Sequence, residues 1–413
     1  MKHARMVSAS VVLASTCGSA LAQSGTTPSD PDEIRAIVTE MIADAETRSS
    51  FLLSDATVGH NGHFYLSSPD GSFRLKVAGQ VQFRYLLNIR DSSAVDDFNP
   101  GFQNRRTKLA VAGHLFDDIQ YKVNGAHSRA TGAFRLEDAY VRMPVGENWT
   151  MRFGQFKEGF LREELVSSKK QLLVDRSVTN ELFNQGRSQG IEFQYKDDQW
   201  RFTASFSDGF RSANTDFGSA LEADWSLTGR AELLLSGNWK QFKDFTSGRG
   251  SDEALMIGAA AHYEVADRVL VGSDEAKTLA YTADVSWEND GWNAFASFAG
   301  RNIQDALGVS GADLDTFGLV FQGGVYVSDD WEVFARYDEF LNDSAIGDDF
   351  ATVTFGANNY IHGHAAKFSV DVQWHLDDFA GTFGAVGPST GLGTLGGAGE
   401  NEVVIRTQFQ LLF

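Results

Sequence analysis

The chain ends in Val403-Val404-Ile405-Arg406-Thr407-Gln408-Phe409-Gln410-Leu411-Leu412-Phe413, a stretch in which two kinds of side chain alternate. The odd-numbered positions are mostly apolar and end on an aromatic, whereas Arg406, Gln408 and Gln410 occupy even-numbered positions. A period of two is that of a β-strand with one apolar and one polar face. The end of the chain is therefore predicted to be a strand between an apolar medium and water.

The same alternation recurs upstream, in residues 75–85, 279–287, 317–327 and 368–376. Segments of about ten residues with one apolar face, separated by Gly, Asp and Asn turns, are typical of a transmembrane β-barrel. At about 22 residues for each strand and its loop, the chain predicts an all-β, antiparallel barrel of about sixteen strands, which is the porin range. Two Gly-rich or polar stretches, 381–400 and 341–366, are predicted to be external loops.

Alternation alone also fits a soluble sandwich or a propeller. No internal repeat of constant period is visible, which argues against a propeller. The barrel is favoured by an export signal, by the terminal Phe413 and by aromatic residues at predicted strand ends, where a membrane interface would lie. Those aromatic residues are Tyr85, Trp149, Trp200, Trp287, Trp331 and Trp374.

The composition narrows the possible functions. Of 413 residues, 35 are Lys or Arg and 55 are Asp or Glu, which gives a formal charge of -20. A nucleic-acid surface needs a basic stripe, so a nucleic-acid partner is not expected. With 12% aromatic residues and 42% hydrophobic residues, the chain is also unlike an acidic disordered protein.

Residues 1–22 resemble a secretory signal peptide, with a basic start, an apolar stretch and Ala20-Leu21-Ala22 as the cleavage signature. Cleavage after Ala22 would remove Cys17, the one cysteine. The mature protein would then have no disulfide and no thiolate site. The alternatives are an uncleaved anchor helix and a lipoprotein attached through Cys17.

Residues 23–58 are predicted to be a linker followed by a short periplasmic helix. Asp30-Pro31-Asp32-Glu33 is a typical helix start, and apolar residues then recur at spacings of three to four, which predicts an amphipathic helix over 31–50. The helix could form a coiled coil with identical helices of a trimer, or it could be a marginal helix that packs on nothing. Residues 59–413 are predicted to be the barrel.

Basic residues are concentrated in one part of the predicted barrel. Residues 101–190 carry 14 Lys or Arg and 10 Asp or Glu, although the whole chain is strongly acidic. The alternation turns several of these cations inward, because their apolar neighbours must face lipid. Such a lane would select anions, unless the cations merely solubilise the lumen. The inward cations predicted in this range are Arg106, Lys108, Arg142 and Arg152, and the alternation over 75–85 adds Arg84 upstream of it.

Signatures of catalysis are missing from the sequence: there is no G-x-S-x-G, no H-E-x-x-H and no Walker loop. The pairs His60 with His63 and His362 with His364 lack enough neighbouring carboxylates for a metal site, and the Asp-rich turns fit solvated turns better than calcium loops. No catalytic residue, metal or cofactor is therefore predicted. A lipase-like barrel would need a lipid-facing Ser and His pair, and none presents itself.

Several segments, in order, resemble the phosphate-selective porin O and P family of bacterial outer membranes. The helix before the barrel, the Ser68-Pro69-Asp70-Gly71 turn and the terminal Phe413 are similar to that family as well. The matching segments are NRRTKLAVAGHLFDD (104–118), LEDAYV (136–141), GQFKEGF (154–160), EELVSS (163–168), DRS (175–177) and GRSQG (186–190).

The resemblance implies a trimeric, water-filled barrel of sixteen strands, in the outer membrane and in contact with its lipid. It also implies a third loop, about 157–187, that folds inward to form a constriction lined by cations. Arg176 and Arg187 could instead pin the loop by pairing with Asp175 or Glu181. The candidates on this loop for binding a small anion such as phosphate are Lys157, Arg162, Lys169, Lys170, Arg176 and Arg187.

The expected function is passive diffusion of small hydrophilic solutes, including anions such as phosphate. Two features depart from a purely anion-selective picture: the acidic composition, and Gly159 where the family has Pro. The alternatives are a non-selective or cation-preferring general porin, and a barrel that anchors the envelope through its N-terminal helix.

Overall fold

The computed structural model describes residues 32, 35, 38–42, 56–91, 98–266, 275–305, 313–343, 349–377, 390–395 and 400–413. The chain divides into two units, residues 1–55 and residues 56–413. In the first unit, Asp32, Arg35 and residues 38–42 are helical, and they belong to the helix predicted over 31–50. The predicted signal peptide and its cleavage site lie outside the described residues. None of the described helices is long and apolar enough to cross a membrane.

The second unit begins with a short hairpin of β1 (Thr57–His60) and β2 (Phe64–Ser67), and β2 pairs with the first barrel strand. Sixteen longer strands follow. They are β3 (Arg74–Asp91), β4 (Phe98–Leu115), β5 (Ile119–His127), β6 (Phe134–Gly146), β7 (Trp149–Lys157), β8 (Arg187–Lys196), β9 (Trp200–Ser207), β10 (Trp225–Ser236), β11 (Ala254–Ala266), β12 (Ala276–Asn289), β13 (Trp292–Gln304), β14 (Leu314–Tyr326), β15 (Trp331–Asn342), β16 (Phe350–His364), β17 (Ala366–His375) and β18 (Glu400–Leu412).

Each of these strands is antiparallel to the next, and the last returns to the first. The β3–β18 register aligns Phe83 with Phe409 and Gln80 with Leu412. The sheet is thus a closed barrel of sixteen antiparallel strands, which confirms the predicted fold. Closure matters because backbone groups in lipid must be paired within the protein.

The alternation in the sequence corresponds to the two faces of the wall. In β10, Trp225 and Leu227 are exposed on the outer face, whereas Ser226, Thr228 and Arg230 are buried inside. Four of the predicted interface aromatics, Trp149, Trp200, Trp287 and Trp331, lie at or within two residues of a strand terminus on the same edge of the barrel.

The two edges of the barrel differ in the length of their connections. On the edge where β3 begins, six of the seven connections contain one to four residues, and we call it the short-turn edge. On the opposite edge, the long-loop edge, the connections contain six to 29 residues. The exception on the short-turn edge is residues 237–253, a 17-residue connection between β10 and β11.

The prediction of an external loop over 341–366 is wrong, because β16 occupies Phe350–His364 and pairs with both β15 and β17. The misleading signals are Gly356, Asn358 and Asn359, which are typical of turns. Asn358 instead faces the interior, where its amide donates to the carbonyl of Leu172 at 2.7 Å. In the other predicted loop, over 381–400, residues 390–395 and 400 are described; no strand lies among residues 390–395, and Glu400 begins β18.

Two glycine-dependent features complete the wall. Gly79 N donates to the carbonyl of Phe413 at 2.6 Å, and a Cβ built at Gly79 would lie 2.2 Å from the Phe413 ring. Only glycine therefore leaves room for the terminal aromatic ring at this seam. Gly154, with φ of 118°, would place a Cβ 2.2 Å from the carbonyl oxygen of Ala139, so the close β6–β7 approach also requires glycine.

Residues 158–186, the connection between β7 and β8, contain two short helices, α1 (Arg162–Leu165) and α2 (Val178–Phe183). Helix α2 begins with a side-chain cap, because Ser177 Oγ accepts from Asn180 N at 2.8 Å. Glu163 in turn accepts from both Ser177 N, at 2.7 Å, and Ser177 Oγ, at 2.5 Å. These contacts fold the connection, which we call the inner loop, back on itself.

Candidate functional site

The inner loop, residues 158–186, contacts strands on all sides of the barrel. Arg230 on β10 donates to the carbonyl of Phe160 at 2.8 Å, Arg336 on β15 to that of Asp175 at 3.0 Å, and Gln410 on β18 to that of Lys169 at 3.0 Å. One segment can contact all of these strands only from inside the barrel. The inner loop therefore crosses the lumen.

A buried carboxylate fixes the middle of this loop to the wall. Asp175 lies 2.7 Å from Arg84, 2.8 Å from Arg106 and 3.1 Å from Arg105, and its side chain has no exposed surface. Burial alone would raise the pKa of Asp175, but the three guanidinium groups hold it well below its ordinary value. The expectation that Asp175 pairs with Arg176 or Arg187 is wrong, because its partners lie on β3 and β4.

Apolar contacts hold the loop against the far side of the barrel. Phe160, Val178 and Phe183 belong to one buried cluster with Phe340 and Phe350 of β15 and β16. Helix α2 is also held by Asp338, which accepts from Val178 N at 3.0 Å. The loop thus packs directly against β15 and β16 on one side, and its other side faces β4–β10.

A cavity of about 610 Å³ lies on that other side, between the inner loop and strands β4–β10. Fourteen Lys or Arg and five Asp or Glu line it. The basic ones are Arg106, Lys108, Lys122, Arg142, Arg152, Lys157, Arg162, Lys169, Arg176, Arg187, Lys196, Arg201, Arg230 and Lys243. The cavity is therefore cationic although the chain carries a charge of -20.

Near the long-loop end of the cavity, two carboxylates are shared among three cations. Glu137 lies 2.6 Å from Lys108 and 3.2 Å from Arg187, and Asp138 lies 2.6 Å from both Arg187 and Lys122. The sharing holds the cationic side chains in place without neutralising all of them. Arg187 thus attaches the end of the loop to β6, which agrees with the alternative that this residue pins the loop. Its partners are Glu137 and Asp138, however, and not Asp175 or Glu181.

The same arrangement recurs further along the cavity. Glu164 of the inner loop lies 2.7 Å from Lys157 and 3.2 Å from Arg176. Arg176 also donates to backbone carbonyls of the loop, among them that of Val166 at 2.9 Å, so it stabilises the loop from within. Toward the short-turn end, Glu192 pairs with Arg152 and lies 3.7 Å from Arg142, and Glu232 pairs with Arg201 and Arg230.

Some lining cations have no carboxylate within ion-pair distance among the residues that the structure describes. They are Lys169 on the inner loop, Lys196 on β8 and Lys243, the last residue of the 3-10 helix Gln241–Lys243. Arg162 likewise donates to a backbone carbonyl, that of Phe242, at 2.5 Å. These four side chains add to the excess positive charge of the lining, in which fourteen basic side chains face five acidic ones.

Nine of the eleven sequence-predicted cations line the cavity: Arg106, Lys108, Arg142, Arg152, Lys157, Arg162, Lys169, Arg176 and Arg187. The other two, Arg84 and Lys170, do not. Arg84 is fully buried behind the loop by Asp175, and Lys170 points to Asp244, at 3.0 Å.

Sequence reasoning missed Lys122, Lys196, Arg201, Arg230 and Lys243. For the strand residues the signal was present, since Arg201 stands between the outward Trp200 and Phe202. Lys243 lies on a connection, where strand parity gives no direction.

A second cavity, of about 410 Å³, lies toward the long-loop edge and includes Arg135, Arg187 and Arg211 in its lining. It shares Glu137 and Arg187 with the larger cavity, so the two are adjacent. Within the described part of the chain, no group of three or more His, Cys, Asp or Glu is arranged to hold a metal ion.

A family model described as phosphate-selective porin O and P matches residues 76–378. The chain belongs to the phosphate-selective porin O and P family. The resemblance seen in the sequence is thereby confirmed, and it places the protein among the channels of the bacterial outer membrane, with the short-turn edge on the periplasmic side. No curated protein sequence matches the chain significantly.

Solved structures show the same fold in other porins. The anion-selective porin from Comamonas acidovorans superposes with a TM-score of 0.59 at 11% identity, over 82% of this chain and 99% of that one. The outer membrane channel DcaP of Acinetobacter baumannii gives 0.55 at 12% identity, over 84% and 99%. OprB of Pseudomonas putida gives 0.54 at 11% identity, over 82% and 94%. Identities this low show a common fold, but they do not indicate which solute this chain conducts.

Proposed function

We propose that this porin conducts small hydrophilic anions, phosphate among them, through the cavity between the inner loop and β4–β10. The observation that supports the proposal is the lining, in which fourteen basic side chains face five acidic ones. In a narrow pore bounded by protein, the sign of the lining charge determines which ions enter. The net charge of -20 acts mainly elsewhere, because the acidic excess lies outside this lining.

Cations line the proposed pathway from the long-loop edge to the periplasmic end. Arg135 and Arg211 line the cavity at the long-loop edge, Arg187 is common to both cavities, and Lys196 and Lys243 lie toward the periplasmic end. A permeating anion would pass from one cation to the next without crossing an uncharged stretch. Guanidinium and ammonium groups suit phosphate, since they donate charge-assisted hydrogen bonds to its oxygens.

Carboxylates shared between cations keep the affinity of the lining for a permeating anion moderate. Each of Glu137, Glu164 and Glu192 lies near two cations, which therefore already have a partner. Conduction needs sites that attract an ion and also release it, so partial neutralisation favours transport over tight binding. Lys169 and Lys196, which have no carboxylate within ion-pair distance in the described part of the chain, are the strongest candidates for direct contact with the solute.

The assembly is also proposed on the basis of relatives. One similar structure is the OmpT outer membrane protein of Vibrio cholerae in its trimer form, at a TM-score of 0.52 and 11% identity. We propose that this porin is a homotrimer in outer-membrane lipid. We also propose that its signal peptide is removed after Ala22. A third proposal is that the protein has no enzymatic activity.

The test is the reversal potential in a planar bilayer with asymmetric potassium chloride, followed by titration with inorganic phosphate. We expect a preference for chloride and block by phosphate, both reduced in Lys169→Gln and Lys196→Gln. Lys277→Gln is the matched control, because Lys277 is exposed at the outer start of β12. A preference for potassium without phosphate block would contradict the proposal and support the general, cation-preferring porin.

A further inference from the structure

The 17-residue connection between β10 and β11 stands apart from the other connections of the periplasmic edge, which contain one to four residues. We call residues 237–253 the mouth segment. Its 3-10 helix (Gln241–Lys243) is followed by Phe245, whose surface is 4% exposed. A turn that merely joined two strands would not bury an aromatic ring, so this segment folds into the barrel.

Polar contacts join the mouth segment to the inner loop. Lys170 Nζ lies 3.0 Å from Asp244 Oδ2, and the carbonyl of Lys170 accepts from Phe245 N at 3.3 Å. Arg162 donates to the carbonyl of Phe242 at 2.5 Å. The two segments therefore meet in the lumen, although one enters from the periplasmic edge and the other from the long-loop edge.

Apolar packing strengthens this contact. Phe245 belongs to one buried cluster with Val166, Leu172 and Leu173 of the inner loop and with Phe295 of β13. The rings of Phe245 and Phe295 have their centroids 4.9 Å apart. Because the cluster includes both segments and the wall, moving the mouth segment would expose apolar surface on all three.

The mouth segment also contacts the periplasmic ends of neighbouring strands. Ser247 Oγ donates to the carbonyl of Asn289 at 2.7 Å, and Arg249 donates to the carbonyl of Tyr326 at 3.0 Å. These acceptors belong to β12 and β14. The segment is thus fixed to strands beyond the two that it joins, on the side where the inner loop packs against the wall.

Its other side borders the anion pathway. Trp239, Phe242 and Lys243 line the large cavity next to Lys196 and Arg201. The guanidinium of Arg201 lies 4.6 Å from the centre of the Trp239 ring, which supports the position of that cation. The mouth segment therefore supplies both bulk and charge to the periplasmic end of the channel.

We propose that the mouth segment is a second constriction element, which sets the width of the channel at its periplasmic exit, with Asp244 and Phe245 as its positioning residues. This proposal rests on the proposed function only in that the conducted ion is taken to be an anion. The width is a property of the pore whichever ion it prefers.

The experiment compares single-channel conductance and the entry of neutral saccharides into proteoliposomes. Asp244→Lys and Phe245→Ala should raise conductance by about twofold and admit larger saccharides, because a narrow pore limits conduction at its constriction. Asp252→Asn is the control within the same segment, since Asp252 is exposed. Heat-modifiable gel mobility confirms that each variant is folded.

The charge-exchanged double variant Lys170→Asp with Asp244→Lys should return the conductance to that of the wild type. Folded variants with unchanged conductance and unchanged saccharide cutoff would overturn the proposal. If the wild type prefers potassium while Phe245→Ala still widens the pore, the proposed function fails and the role of the mouth segment stands. If the wild type prefers chloride and neither variant widens the pore, only the role of the mouth segment fails.

Discussion

Arg84 Nη1 on the barrel wall lies 2.7 Å from Asp175 Oδ2 on the inner loop, and neither side chain has any exposed surface. Arg105 and Arg106 approach the same carboxylate. One acidic group thus compensates three buried cations and at the same time positions the loop that narrows the lumen.

Asp175→Asn should lower the free energy of unfolding by about 3–5 kcal/mol, which is typical when one partner of a buried ion pair is removed. Urea unfolding of the protein in lipid vesicles measures the change. Asp198→Asn is the matched control, because Asp198 lies exposed in the β8–β9 turn. Equal unfolding midpoints for the two variants would show that Asp175 does not anchor the loop.

The same carboxylate predicts a pH dependence. The pKa of Asp175 in the folded protein is well below its ordinary value, so the unfolded state takes up a proton first as the pH falls. Its contribution to stability is fully present above the unfolded pKa of about 4 and is lost as the pH falls toward the folded pKa. The difference in unfolding free energy between wild type and Asp175→Asn should therefore be constant from pH 7 to about 5 and shrink below about 4. A difference that grew on acidification would contradict this assignment.

Glu137→Gln should make the channel more selective for anions. The substitution removes the carboxylate that Lys108 and Arg187 share, so the positive charge of the lining increases by one. The ratio of chloride to potassium permeability should rise about two- to fivefold, since a unit charge at about 4 Å changes the energy of an ion by about 1 kcal/mol even in water. Reversal potentials measure the ratio, and Glu147→Gln, in the exposed β6–β7 turn, serves as the control.

Gly79→Val should impair folding at the seam of the barrel. Any Cβ at this position would overlap the Phe413 ring, and overpacking costs about 1–3 kcal/mol even where neighbours can adjust. Less folded barrel should appear in refolding assays scored by heat-modifiable mobility. Gly101→Val provides the comparison, since a Cβ at Gly101 would meet nothing within 4 Å. Equal yields for the two variants would contradict the steric argument.

The alternation of side chains carried most of the information about the fold. It predicted the barrel and the approximate number of strands, because a wall between lipid and water imposes opposite requirements on its two faces. It failed over 341–366, where the wall contains glycine and asparagine. Asn358 is tolerated there because the inner loop provides it with an acceptor, the carbonyl of Leu172.

The candidate site was predictable only in part. Strand parity indicates that Arg106 or Arg152 faces inward, and the structure places both on the cavity. Parity cannot indicate that Arg84 is covered by Asp175, since that contact depends on how the inner loop folds. The mouth segment was not predicted either, because its contacts with Lys170 and Leu172 join parts of the chain that are far apart in sequence.

The pairing of β3 with β18 also constrains how the molecule is made. The barrel closes where Phe413 hydrogen bonds with Gly79 in both directions, although the two residues are far apart in sequence. Until β18 pairs with β3, each of these two strands presents an unpaired edge. Contacts this distant in sequence form slowly, so the folding chain is prone to aggregation during that interval. Removal of β18 alone would therefore leave an open sheet with two unpaired edges.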